Sequence, residues 1–193
     1  MTTALPDIET ERLIIRPFVM DDLNVAHRVL SAAWQEPEFG HATTLPERER
    51  WLRWNVETEA MLAELYQPPY GDRAVVLKSE NRLVGSVGLV PSLGPFGQLP
   101  GFPAHQGSRK WFPEIGLYWA VDPTYQGQGI ATEAARALID HTAAQFDLGR
   151  IVATTEFDNE RSQAVMRKLG MTIMRNPESE PQWLQVVGVL ELS

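Results

Sequence analysis

The apolar positions of this chain fall into short runs whose spacing alternates between that of a strand and that of a helix. Arg12 to Phe18, Arg-Leu-Ile-Ile-Arg-Pro-Phe, is a β-branched run that predicts a strand, with Pro17 at its edge or end. Asp21 then opens a predicted helix to about Ala33. From Pro46 to about Tyr66, Trp51, Trp54, Val56, Met61, Leu62 and Leu65 recur at helical spacing until Pro68-Pro69 stops the helix. Arg73 to Lys78 and Arg82 to Val90, on either side of Ser79-Glu80-Asn81, have the pattern of a β-hairpin.

Pro91 to Pro113 holds five of the 14 prolines and four of the 14 glycines, which predicts a long connection of the kind that forms lids and binding loops. After it come a strand Glu114 to Val121, a glycine turn at Gln126 to Gly129, and a helix to about Phe146. A strand Arg150 to Thr155, a helix Asn159 to Leu169 and two closing strands follow. A strand-helix-strand unit favours parallel pairing. The pattern predicts one α/β (α+β) domain over residues 1–193, with a mixed sheet of about seven strands flanked by helices. Val186, Val187, Val189 and Leu190 make the last strand apolar enough for a buried closing strand or, alternatively, for pairing across a homodimer.

Composition narrows the function. With 44% apolar and 22% charged residues the chain reads as an ordinary globular protein. It has no cysteine, which removes disulfides and thiolate nucleophiles and suits a reducing cytoplasm. The first twenty residues carry Asp7, Glu9, Glu11, Arg12 and Arg16 without an apolar core, so no signal peptide is expected. No apolar run approaches the ~20 residues of a membrane helix. A net charge of -8 argues against nucleic-acid binding and mildly favours amine partners. His27, His41, His105 and His141 show no metal-ligand spacing, so no metal is expected; His141 falls on the apolar face of its helix and reads as core. The six tryptophans read mostly as core, with Trp34, Trp51 and Trp54 in or beside the two early helices.

Chemistry concentrates at Gln126-Gly127-Gln128-Gly129-Ile130-Ala131, between a strand and a helix whose apolar stripe is read as Ile130, Ala134, Ala137, Leu138 and His141. Glycines at such a turn admit a ligand to the backbone, and free N–H groups at the helix start bind an anion such as a pyrophosphate. An isolated G-x-G is more often a tight turn alone. Thr132 stands where a dinucleotide fingerprint wants glycine, and the Gly-Lys-Ser/Thr of a P-loop is absent; Glu156 keeps a dinucleotide reading as an alternative. Asn159 and Ser162 open the last helix, where a purely capping role is the competing reading.

Gln126-x-x-Gly129-x-Ala131 resembles the Q/R-x-x-G-x-G/A acetyl-CoA motif of the GNAT superfamily. Ala120-Val121-Asp122-Pro123, Gly129 to Ala134, Asn159-Glu160-Arg161-Ser162, Arg167 to Met171 and the opening Glu9 to Arg16 are similar to its RimJ/RimL-like branch of ribosomal-protein alanine acetyltransferases. The resemblance implies a GNAT fold in which the backbone amides of Gln126, Gly127, Gln128, Gly129, Ile130, Ala131 and Thr132 cradle the pyrophosphate of acetyl-CoA. It implies that Asn159 bonds the pantetheine arm. The strand before the turn would splay from its neighbour, freeing the backbone of Ala120 and Val121 for pantetheine and the Val121 amide for the thioester oxygen.

An amine must lose a proton before it attacks. Strand alternation puts Glu114 on one face with Gly116, Tyr118 and Ala120, making it the first candidate base; its competing reading is a solvated residue at a strand start, and Glu156 is the reserve. The tyrosine acid of many family members, seven residues after the asparagine, falls here on Met166, so Ser162 becomes the candidate acid. The implied acceptor is a primary amine, either a protein N-terminus or a small molecule. The alternative is an acyl-CoA-binding module without turnover.

Overall fold

A computed structural model describes residues 5–34 and 43–192; His41, the first four residues and Ser193 lie outside the described residues. The chain divides into two compact units, Met1–Leu89 with Trp119–Phe146, and Val90–Tyr118 with Asp147–Ser193.

In the first unit, β1 (Ile8–Glu9), β2 (Leu13–Pro17), β3 (Gly71–Leu77) and the start of β4 (Arg82–Gly94) follow one another as antiparallel neighbours. The strand Arg12 to Phe18 and the hairpin appear where their patterns put them. Leu13 and Ile15 are fully buried while Ile14 and Arg16 are half-buried, the alternation of a strand with two unequal faces. β1 escapes the pattern because two residues carry no periodicity, and it raises the count from about seven strands to eight among the described residues.

The two early helices are α1 (Leu23–Ala33), entered through a 3-10 turn at Met20–Asp22, and α2 (Leu45–Glu64). A reciprocal cap starts α2: the Thr44 hydroxyl accepts the Glu47 N–H at 3.4 Å, and the Glu47 carboxylate accepts the Thr44 N–H at 2.8 Å. Phe18, Ala26, Val29, Leu52, Ala74 and Leu83 form a core beneath these helices, with Trp51 edge-on to Phe18 at 5.2 Å.

The unit also holds the end of β5 (Phe112–Val121) and α3 (Ile130–Phe146). α3 buries Ile130, Ala134, Ala135, Leu138, Ile139 and Thr142. His141 is exposed, which corrects its reading as core. The stripe is rotated one position toward Ala135 and Ile139, because β-branched Ile139 claims the buried side and leaves His141 to water.

In the second unit, β5 pairs in parallel with β6 (Arg150–Thr155), as the strand-helix-strand order predicts, with Gly116 opposite Val152. β8 (Val186–Glu191) lies antiparallel between β6 and β7 (Thr172–Arg175). Both edges of β8 are therefore paired, and Val186, Val187 and Val189 are buried in the unit's own core. α4 (Glu160–Leu169) ends on Gly170 in a left-handed conformation (φ 86°), which closes the helix with Met171 donating to the Met166 carbonyl at 3.0 Å.

The connection Pro91 to Pro113 differs from expectation. β4 continues through Pro91 to Gly94, and a 3-10 turn follows at Phe96–Gln98. Phe96, Leu99 and Phe102 are buried with Val152, Leu184, Val187 and Val189. Proline and glycine mark a chain without regular hydrogen bonding, but three large apolar residues at every third position anchor this one as core rather than as a lid.

The tryptophan expectation is also corrected. None of the six is among the buried core residues, and Trp54, Trp111 and Trp183 are 54%, 53% and 42% exposed. The large indole is seldom wholly covered.

Candidate active site

In the first unit, β5 ends on buried Ala120 and Val121 and hands over to a turn fixed at several points. The Asp122 N–H donates to the Val84 carbonyl at 2.9 Å, tying the strand end to β4. The Asp122 carboxylate caps the 3-10 turn Pro123–Tyr125, accepting the Thr124 N–H at 3.0 Å and the Thr124 hydroxyl. Burial pushes the Asp122 carboxyl up, but the Thr124 hydrogen bonds and the charges of Arg28 and Arg82 outweigh it and hold the group below its ordinary value. The Gln126 side chain turns back to donate to the Val121 carbonyl at 2.9 Å, and its backbone N–H donates to the Pro123 carbonyl at 3.4 Å, bracing the loop.

Gly127 and Gly129 follow in left-handed conformations, φ 77° and 81°. A Cβ on Gly127 would meet nothing within 4 Å, so glycine is required there for backbone conformation. The Gly129 carbonyl accepts the first helical bond, from Glu133 N–H at 3.0 Å. The N–H groups of Ile130, Ala131 and Thr132 then stand in the first turn of α3, where a helix has no carbonyls of its own to offer.

Glu133 is the one acidic residue in that first turn, and it is compensated. Arg12 donates to it through Nε at 2.7 Å and through its terminal nitrogen at 2.5 Å, and the Thr10 hydroxyl donates at 2.5 Å. Arg12 also bonds the Gln128 carbonyl at 3.0 Å, and its guanidinium lies 3.6 Å from the Cβ position of Gly129. Burial pushes the Glu133 carboxyl up, yet the bonds from Thr10 and Arg12 win and hold it below its ordinary value. Neither Arg12 nor Glu133 stands in a local sequence pattern that would assign it this role. Arg12 and Glu133 are 121 positions apart, and no local pattern joins them.

In the second unit, Glu114 is not a solvated strand start. Its side chain is 7% exposed, and both its oxygens are held by Arg150, from Nε at 3.0 Å and from a terminal nitrogen at 2.5 Å. That hydrogen bond raises the Arg150 guanidinium above its ordinary value. Asn159 caps α4, its side-chain oxygen accepting the Ser162 N–H at 3.1 Å, and Ser162 is half-buried in the first turn. Glu156 is exposed and accepts the Thr155 hydroxyl at 3.2 Å. Met166 is fully buried, so the position of the tyrosine acid in many family members is here part of the core.

The structure therefore brings Ala120, Val121 and Gln126 to Thr132 together in the first unit, while Glu114, Asn159 and Ser162 belong to the second.

Comparison with known proteins agrees with this geometry. Residues 12–172 match the acetyltransferase (GNAT) domain family. An uncharacterized N-acetyltransferase of Bacillus subtilis, YnaD, is 29% identical over 168 residues, covering 85% of this chain and 81% of that protein. The crystal structure of an acetyltransferase from Agrobacterium tumefaciens superposes with a TM-score of 0.70 at 22% identity, covering 98% of this chain and 96% of the other. A ribosomal L7/L12 alpha-N-protein acetyltransferase (RimL) in complex with coenzyme A superposes with a TM-score of 0.62 at 19% identity, covering 95% and 96%. At these identities the two structures show the same fold. The glycine turn, the open first turn of α3 and the family match across most of the chain lead to one assignment: the chain belongs to the GNAT acetyltransferases, acyltransferases that draw their acyl group from an acyl-CoA.

Proposed function

We propose that the chain is an acetyl-CoA-dependent N-acetyltransferase that moves acetyl directly to a primary amine, a protein N-terminus or a small molecule, within a ternary complex. The observation that carries this reading is the first turn of α3, opened by two left-handed glycines and with its single carboxylate compensated by Arg12. A diphosphate fits such a site, because the first-turn N–H groups have no acceptor within the helix and the Arg12 guanidinium lies beside Gly129. The family match extends over segments of both units, which supports the whole chain acting as one acetyltransferase domain. The name of the RimL relative supports a protein N-terminus as one acceptor class.

Within this reading the amides of Gln126 to Thr132 hold the pyrophosphate, and Asn159 and the backbone of Ala120 and Val121 hold the pantetheine arm. The amine nitrogen attacks the thioester carbonyl, the carbon–sulfur bond breaks, and the amine proton leaves to a base as the thiolate gains one. The Val121 amide is the proposed donor to the thioester carbonyl oxygen, on the same residue whose carbonyl accepts the Gln126 side chain. Ser162 is the proposed proton donor to sulfur. Glu114 is the proposed base, and its pair with Arg150 must loosen for it to accept a proton. Exposed Glu156, acting through a water, is the second candidate. Positioning supplies most of the acceleration, on the order of 7–11 kcal/mol in well-oriented systems. Glu114→Gln and Ser162→Ala are therefore expected to slow turnover and alter the pH–rate profile without silencing the enzyme; unchanged rates and profiles would return both residues to structural roles.

The deciding experiment follows melting temperature as acetyl-CoA is titrated in. A specific ligand at 100 times its Kd adds about 2.7 kcal/mol. Saturable stabilisation by acetyl-CoA, with NADH inert, supports the reading and excludes the dinucleotide alternative. Release of CoA thiol in an amine screen then separates an enzyme from an acyl-CoA binder without turnover. Absence of stabilisation would overturn the proposal.

A further inference from the structure

Outside the residues assigned to acetyl-CoA, the first unit holds a cavity of about 450 Å³. Its apolar lining comes from Ile14 of β2, Val76 of β3, Leu83 of β4 and Val25 of α1. Its charged lining comes from three arginines, Arg16, Arg28 and Arg82, against two carboxylates, Asp7 and Asp22. In a protein of net charge -8, a lining with an excess of cations is a local reversal.

The three arginines are not equivalent. Arg16 is spent on Asp22, gripping both carboxylate oxygens at 2.7 and 2.8 Å. Arg28 reaches Asp122 at 3.4 Å, with 51% of its side chain exposed. Arg82 stands 4.0 Å from the Glu80 carboxylate, with its guanidinium 5.7 Å from the centre of the Tyr125 ring. These last two contacts are long for ion pairs and leave donors able to reorient. Asn81, beside Arg82 in the β3–β4 turn, adds a side-chain amide to the same lining.

We propose that this cavity binds a small organic anion, with its apolar body against Ile14, Val76 and Leu83 and its phosphate or carboxylate between Arg28 and Arg82. Arginine favours both anions, because its planar donors match their paired oxygens. Occupancy has a consequence for the neighbouring turn. Arg28 contacts Asp122 and Arg82 contacts Tyr125, the two ends of the segment that leads into Gln126. An anion that takes both guanidiniums competes with those partners, so the site is linked to the glycine turn, and the linkage is reciprocal. The linkage rests on the reading of Gln126 to Thr132 as the acetyl-CoA cradle; the binding itself does not.

The test is calorimetric titration of the full chain with phenyl phosphate and, separately, with benzoate; inorganic phosphate and benzyl alcohol supply each half alone. Saturable binding of one aromatic anion, tighter than either half, is expected, and which one binds distinguishes the phosphate from the carboxylate source. Arg28→Gln with Arg82→Gln should weaken it at least tenfold. Asn81→Asp should also weaken it, by adding a carboxylate to the lining while every arginine remains, which guards against misfolding of the double variant. Gly129→Glu should leave it intact. No binding to the unaltered protein, equal affinity in the arginine variant, or loss in Gly129→Glu would overturn the site, the last because the anion would then be in the glycine turn. With phenyl phosphate or benzoate bound, a changed acetyl-CoA Kd supports the linkage and an unchanged one overturns it.

Discussion

The starts of α3 and α4 are the same kind of structure put to opposite uses. Each begins a helix of ten or more residues just after a strand, with an acidic residue in its first turn. α4 is closed by its own chain: Asn159 accepts the Ser162 N–H, and Glu160, held by Arg167 and Arg175 only through long, exposed contacts of 3.6 and 4.0 Å, remains at the dipole's positive end, where a carboxylate is favourable. α3 is opened by Gly129, which has no side chain to cap it, and its Glu133 is drawn into bonds with Thr10 and Arg12. A helix start that supplies its own anion has less to offer a ligand's. One whose anion is neutralised by a distant arginine keeps its field and its donors for a phosphate.

The hardest blow to this contrast is Gly129→Glu. A left-handed conformation costs a non-glycine residue about 1 kcal/mol, and the new carboxylate would occupy the phosphate position. Stabilisation by acetyl-CoA should disappear while the protein remains folded by circular dichroism. Persisting affinity would mean that the two helix starts do not differ in function.

Arg12→Ala sharpens the contrast by leaving the Glu133 carboxylate in the first turn of α3 with the Thr10 hydroxyl but without its cationic partner. Charges at a helix start are worth about 0.3–1 kcal/mol, and up to about 2 where partly buried. The KM for acetyl-CoA should therefore rise about three- to tenfold with kcat little changed. Adding Glu133→Gln to Arg12→Ala should recover part of the loss. A fall in kcat at constant KM, or no rescue, would make the pair a structural tie.

The legibility of the two starts differed for a physical reason. The glycine turn, the strand before it, α3 and β6 were readable because glycine placement and apolar period are local properties. Asn159 as the cap of α4 was readable on the same ground. The compensation of Glu133 by Arg12 and the capture of Glu114 by Arg150 were not, since each is made by residues far apart in sequence. Phe96, Leu99 and Phe102 were hidden in another way: the prolines and glycines around them signal irregular backbone, and burial of an irregular segment leaves no period. His141 was misplaced because a helical stripe read from small residues is uncertain by one position, which is enough to exchange His141 for Thr142 at the buried face.

Asn159 separates a cap from a ligand contact. Asn159→Ala should cost about 1 kcal/mol through the lost cap, or roughly 2–4 °C in a chain of this size. Asn159→Asp keeps the cap and removes the amide donor. Unchanged melting with a raised KM for acetyl-CoA would support the pantetheine role; a wild-type KM would leave Asn159 as a cap alone.

The smallest effect is in acid. Glu133 is held below its ordinary value of 4.5, so its bonds with Thr10 and Arg12 contribute stability that is fully present above that value and lost as pH falls through the depressed one. Solvent screening of this partly exposed pair limits the contribution to about 1 kcal/mol or less. The melting temperature of the wild type should exceed that of Glu133→Gln by a constant margin from pH 6 to 8, and the margin should close below about pH 4. Asp122, shifted in the same direction, acts equally in both proteins and cancels in the difference. A margin independent of pH would show that the Glu133 carboxylate contributes by packing rather than by charge, and the field at the start of α3 would then owe nothing to Arg12.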